Sequence, residues 1–190
     1  MKASSAYPTG PLAQRMSRLK ASPIREILSV IDRPGMISFA GGLPATEALP
    51  PLRCDAVPSE VLQYGASEGD SALREWVAAR LRADGLACGA AQVLILSGSQ
   101  QGIDLVAKLF IEPGTRIAVE SPTYLAALQV FKLFGANCAS FSPSGAGDVF
   151  GAAERPAFAY AIPTFQNPTG HCYSAAERRA LAQADPSGFH

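Results

Sequence analysis

The chain switches between two hydrophobic rhythms, and each switch marks an element. Leu12 to Leu19 has helical spacing. Ser22-Pro23 reads as a helix cap with proline in the first turn. Ile24, Ile27, Leu28 and Ile31 then form one helical stripe that stops at Arg33-Pro34-Gly35. Met36–Phe39 predicts a short strand, and Gly41-Gly42-Leu43-Pro44 a loop. A helix is expected from Asp70 to Arg82, capped by Asp70, with Leu73, Trp76, Val77, Arg80 and Leu81 on one face and Gly85 as the stop.

Beyond Gly85 the pattern becomes that of buried strands. Val93–Leu96, Ile117–Val119, Asn137–Phe141 and Ala157–Ile162 are short, mostly apolar runs, as in a parallel sheet covered on both faces. Between them lie helical stretches at Ile103–Phe110 and Tyr124–Phe134, broken by Pro113-Gly114 and Gly135. Residues 142–151 read as a loop, and Ser174-x-x-Glu177 as a capping box for a last helix ending near Ala184. Strands alternating with helices predict an α/β fold with a mostly parallel sheet, and no internal repeat is present.

Composition narrows the reading. In 190 residues, 48% are apolar and only 17% charged, too apolar for disorder and short of material for a solvated surface. Large apolar faces are therefore expected to need cover, and the isolated chain to self-associate. No run approaches the roughly 18 apolar residues of a membrane span. Sixteen basic residues balance sixteen acidic ones, with no basic stripe for nucleic acid. The cysteines, Cys54, Cys88, Cys138 and Cys172, lack zinc spacing, so no metal site is expected. Without a signal-like N-terminus, a reduced cytoplasmic setting is expected.

Three turns fall beyond the carboxyl ends of predicted strands, where open α/β sheets bind ligands. Gly98-Ser99-Gln100 opens a helix, so its N–H groups suit a phosphate; Ser99 reads equally as a plain cap. Tyr124 follows Ser121-Pro122-Thr123 and offers a ring for stacking, or is an ordinary buried tyrosine. Asn167, between Gln166 and Pro168, offers an amide to a ligand oxygen, or marks a simple turn.

In order along the chain, five segments resemble the N-terminal part of class I/II aminotransferases, fold-type I enzymes that use pyridoxal 5′-phosphate (PLP). They are Ile37–Pro44, Leu62–Gly65 with Glu68-Gly69 and Leu73-Arg74, Ser97–Asp104, Glu120–Tyr124, and Ile162–Gly170. The pattern is most similar to the 2-aminoadipate and kynurenine aminotransferases, and also resembles the effector domains of MocR-type regulators. The resemblance implies a partial three-layer PLP-transferase large domain at 39–190, preceded by an N-terminal helical arm at 1–38. Too few residues precede the match for a regulator's DNA-binding domain.

The resemblance also implies roles. Gly98, Ser99 and Gln100 would hold the PLP phosphate, Tyr124 would stack on the pyridine ring, and Asn167 would bond its phenolic oxygen. Tyr64 would reach the phosphate held by a second subunit of a homodimer. Gly42 would border the carboxylate of an amino acid or 2-oxo acid substrate, and Arg25 would lie near its side chain. Relatives place the cofactor-anchoring lysine, the acid facing the pyridine nitrogen and the carboxylate-binding arginine farther along. None of the four lysines here, Lys2, Lys20, Lys108 and Lys132, sits in a matching motif. No catalytic residue is therefore expected in this chain. A non-catalytic fragment or ligand-binding remnant is the alternative. The short Ser142–Pro156 stretch and the ending at Asp185–His190 suggest a truncation, a shifted reading frame or a split gene.

Overall fold

Three short strands, all running the same way, organise the better-packed part of the molecule. The computed structural model describes residues 12–19, 34–37, 44–51, 57–148, 150–151 and 154–184. In chain order the elements are α1 (Ser71–Ala83), α2 (Ser99–Phe110), β1 (Arg116–Glu120), α3 (Leu125–Phe134), β2 (Asn137–Phe141), β3 (Ala159–Tyr160) and α4 (Ala175–Gln183). Short 3-10 turns lie at Gln14–Arg18, Thr46–Ala48, Ser59–Leu62, Ala90–Gln92 and Pro143–Asp148. The strand order is β2-β1-β3, and both pairings are parallel, with Ala118 opposite Ala139 and Ala159.

Alternation along β1 sets the layers. Ile117 and Val119 point to one face, where they form a core with Ala107 and Ile111 from α2 and its end, and Ala127 and Phe131 from α3. Phe131 is 1% exposed and meets Phe158 and Tyr160 edge-on, with ring centroids 5.8 and 5.4 Å apart. The other face carries Arg116, Ala118 and Glu120. The 3-10 turn at Pro143–Asp148 and α4 pack together on this side, and a cavity of about 240 Å³ still reaches Arg116 and Ala118.

Helix ends follow local chemistry. Asp70 Oδ1 accepts from Leu73 N–H at 2.8 Å, and Ser174 and Glu177 form a reciprocal capping box at 3.2 and 2.7 Å. Gly135 closes α3 in the left-handed conformation.

The chain divides into two compact units. One holds Leu12–Leu19 and the described residues from Gly98 onward; the other holds the described residues from 34 to 97. In the second unit, Ala78 alone among the described residues is buried. There Gly69 has φ +97°, and a Cβ at this position would lie 2.6 Å from the Ile95 side chain, so only glycine fits. The Arg74 guanidinium donates to the carbonyls of Val93 (2.8 Å) and Ala90 (2.7 Å).

Several expectations are corrected. Val93–Leu96 is not a strand: no described strand lies beside it, and its polar backbone bonds instead to Arg74 and, through Ile95 N–H, to Glu68. The expected strand Ala157–Ile162 pairs only at Ala159–Tyr160, because Ile162 N–H turns to the Glu120 carboxyl at 2.8 Å. Within 142–151, Pro143–Asp148 forms a 3-10 turn rather than an irregular loop. The predicted face of α1 forms but stays open, with Trp76 66% and Leu73 44% exposed. The helix expected at Ser22–Ile31 lies outside the described residues, as do Ser38-Phe39 of the strand expected at Met36–Phe39; Met36 and Ile37 pair with no strand.

Candidate cofactor site

Parallel strands bring the loops after β1 and β3 to the same edge of the sheet. α2 runs back across the sheet, its last residue Phe110 meeting Phe158 just before β3 at 6.4 Å, so its first turn lies toward that same edge. All three candidate turns therefore belong to the carboxyl side of one sheet.

The first turn is suited to an anion. Gly98 has φ +87° and caps α2 without a side-chain hydrogen bond. A Cβ at Gly98 would meet nothing within 4 Å, which leaves the backbone open to close approach. Ser99 and Gln100 are exposed in the first turn, where N–H groups lack intrahelical partners. These observations fit a phosphate group.

The loop Pro163–Gly170 is held from beneath by a buried polar network that the sequence reading missed. Glu120 is 2% exposed, and its carboxyl accepts from the Tyr173 hydroxyl, from Ile162 N–H (2.8 Å) and from Gln166 Nε2 (3.5 Å). Gln166, 4% exposed, also donates to the Pro122 carbonyl at 2.7 Å, and its Oε1 accepts from Thr169 N–H and Oγ1. One side chain thus ties the loop after β1 to the loop after β3. Arg178 donates to the carbonyls of Pro163 (2.7 Å) and Tyr173 (3.1 Å), clamping the loop's start. The signal was a lone acid closing the apolar run Ile117–Val119, a position where charge must be bonded to be tolerated.

Burial, the bond to Glu120 and the nearby carboxyls push the Tyr173 phenol well above its ordinary range. Glu177 is held below the usual carboxylate range, first by hydrogen bonds from Ser174 and then by His171, whose Nε2 is 3.6 Å away.

The candidate residues stand as follows. Asn167 is exposed at the tip of this loop, joined to Pro168 by a cis peptide, and its amide makes no hydrogen bond among the described residues. Tyr124 precedes α3 as its cap, half-buried against the core. Ser99 lines a cavity of about 420 Å³ beside α2 and β3; Tyr124 and Asn167 do not. A second cavity, about 300 Å³ with Glu120, Gln166 and His171 in its wall, includes none of the three. The structure thus gathers the three turns along one edge without closing one hollow around them. Tyr64 belongs to the other unit and is fully exposed. Gly42 and Arg25 lie outside the described residues. Lys108 is paired with Asp104 on α2, and Lys132 lies on α3.

Residues 45–187 match the family described as aminotransferase class I and II, and the chain belongs to that family. It is 38% identical to the 2-aminoadipate transaminase of Thermus thermophilus over 87% of this chain and 44% of that protein. It is 36% identical to aromatic-amino-acid aminotransferase 1 of Thermococcus litoralis, again over 87% of this chain and 44% of that protein. The crystal structure of LysN, the α-aminoadipate aminotransferase of Thermus thermophilus complexed with N-(5′-phosphopyridoxyl)-L-leucine, superposes with TM-score 0.71 and 34% identity. That match covers 90% of this chain and 45% of that one. The fold is part of a PLP-dependent transferase domain, and the chain spans just under half the length of these relatives.

Proposed function

We propose that this chain forms the phosphate-side part of a PLP site in an aminotransferase. The amino-group transfer would run between an amino acid and a 2-oxo acid. The observation that carries this reading is the first turn of α2: Gly98 at φ +87° beneath open space, followed by exposed Ser99 and Gln100. There the N–H groups and the Ser99 hydroxyl bind and orient the phosphate. Tyr124 would hold the pyridine ring by stacking. Asn167, whose amide makes no hydrogen bond among the described residues, would donate to the phenolic oxygen, and the Glu120–Gln166 network holds its loop. Bound PLP supplies the electron sink for reactions at an amino acid's α-carbon.

The remaining assignments complete the same reading. Residues 1–38 act as an arm over the substrate and 39–190 as the cofactor domain. Arg25 and Gly42 lie on the substrate side, and Tyr64 reaches a second subunit's phosphate in a cytoplasmic homodimer. Lys108 and Lys132 sit on helices and serve no covalent anchoring role. The chain alone binds PLP non-covalently and transfers no amino group.

The test is to mix the purified chain with PLP, reduce with borohydride and weigh the product. Reversible binding with no retained cofactor mass and no amino transfer is expected. A mass gain of one reduced cofactor on a lysine, or turnover, overturns the non-catalytic reading; absence of any PLP binding overturns the site.

A further inference from the structure

Gln166 uses every polar group it has. Its side-chain amide offers two donor hydrogens and two acceptor sites. Nε2 donates to the Pro122 carbonyl at 2.7 Å and to the Glu120 carboxyl at 3.5 Å, while Oε1 accepts from Thr169 N–H at 2.9 Å and from Thr169 Oγ1 at 2.6 Å. Turned over, the amide would set its oxygen against the Pro122 carbonyl and the Glu120 carboxyl, so its orientation is fixed. The backbone of Gln166 already closes the turn: its N–H donates to His171 C=O at 2.9 Å, and its C=O accepts from Gly170 N–H. What the side chain, 4% exposed, adds by its burial is a link to the loop after β1. That link ends at Pro122, two residues before Tyr124, and starts at the residue preceding Asn167. Neither the cavity beside Glu120 nor that beside α2 includes Tyr124 or Asn167, so their relative placement depends on the bonds behind them.

We infer that Gln166 is a positioning residue of the proposed PLP site, coupling the ring stack at Tyr124 to the bond from Asn167 to the phenolic oxygen; the inference rests on the function proposed for this chain. Gln166 acts through its two neighbours and touches no cofactor. The role needs a donor and an acceptor on one short side chain. A glutamate keeps the shape and the bonds from Thr169, but its carboxylate cannot donate to Pro122 and stands beside the Glu120 carboxyl.

The test compares the affinities of the chain for PLP, for 3-deoxypyridoxal 5′-phosphate, which lacks the phenolic oxygen, and for pyridoxal, which lacks the phosphate. The parent chain should prefer PLP over the deoxy compound about fivefold, the worth of one hydrogen bond. Asn167→Ala should abolish that preference. Gln166→Glu should abolish it too near pH 8, while the preference for PLP over pyridoxal stays. At about pH 5.5 part of the loss should return, as the new carboxyl, raised by Glu120, takes a proton and donates to Pro122 again. That carboxyl faces Glu120 and Tyr173 beneath it and His171, Glu177 and Arg178 from its own loop and α4, so the parent with the same groups is measured at each pH. Thr169→Val, on the exposed side of the loop, should lower the preference about twofold, and it decides the matter alone should Gln166→Glu fail to fold. A preference for PLP over the deoxy compound that both Gln166→Glu and Thr169→Val leave whole overturns the inference. So does loss of the phosphate preference together with it, which would mark Gln166 as holding the fold only. A parent chain that binds no PLP overturns the cofactor site itself.

Discussion

Two helices, α3 apolar almost all round and α1 with an apolar stripe among charged residues, meet different fates. α3 buries Ala127 and Phe131 against β1, while α1 buries only Ala78 and leaves Trp76 66% exposed. Both are well terminated, α1 by Asp70 and α3 by Gly135. Capping and spacing make a helix; a second surface makes a core. α3 has one in Ile117, Val119 and the Phe158–Tyr160 rings, whereas in the unit of α1 the polar bonds of Arg74 and the close fit of Gly69 to Ile95 do more of the holding. The apolar excess of the sequence is visible as this uncovered surface.

The largest effect is expected in the covered core. Phe131→Ala should cost about 3–5 kcal/mol by denaturant midpoint, through lost burial and a cavity beside the Phe158 and Tyr160 rings. Such a loss is a large fraction of a domain's stability. Glu120→Ala should cost about 3 kcal/mol by the same measurement, since Ile162 N–H, Gln166 and the Tyr173 hydroxyl lose their acceptor. It should also loosen Pro163–Gly170, read as faster amide exchange at Thr169 and Gly170.

Tyr173→Phe should cost about 1–2 kcal/mol near neutrality, and it carries a pH signature. The phenol's proton is held more tightly in the folded chain than in the unfolded one, where it titrates near 10. The stabilisation is therefore complete below about pH 10 and lost as pH rises through the folded value. The melting temperature should fall from pH 9 to 11, and less steeply in Tyr173→Phe. The smallest effect belongs to the open helix: Trp76→Ala should change stability by no more than about 0.5 kcal/mol. A loss like that of Phe131→Ala would show that α1 is covered in solution and break the contrast.

The sequence was most readable where the signal is local. The Asp70 cap, the Ser174–Glu177 box, the glycine before α2 and the short apolar run of β1 each depend on residues within one turn or strand. The five family segments likewise led to the aminotransferase family. Legibility ended where a partner decides the outcome. Val93–Leu96 has strand composition, but no described strand lies beside it. Ala157–Ile162 is cut short by a bond to Glu120, which is 42 residues away along the chain. Tyr124 and Asn167 lie on the expected edge, while the network that fixes their loops joins residues separated by 44 to 53 positions, and no local pattern announces it.

The central claim is that the first turn of α2 grips a phosphate. The most direct measurement is a fluorescence titration of the chain with PLP and with pyridoxal, which lacks the phosphate, repeated on Ser99→Ala. PLP should bind at least about tenfold more tightly than pyridoxal, about 1.4 kcal/mol, and Ser99→Ala should remove much of that difference while leaving the melting temperature nearly unchanged. Equal affinities for the two compounds, or a preference for PLP that Ser99→Ala leaves whole, would contradict it.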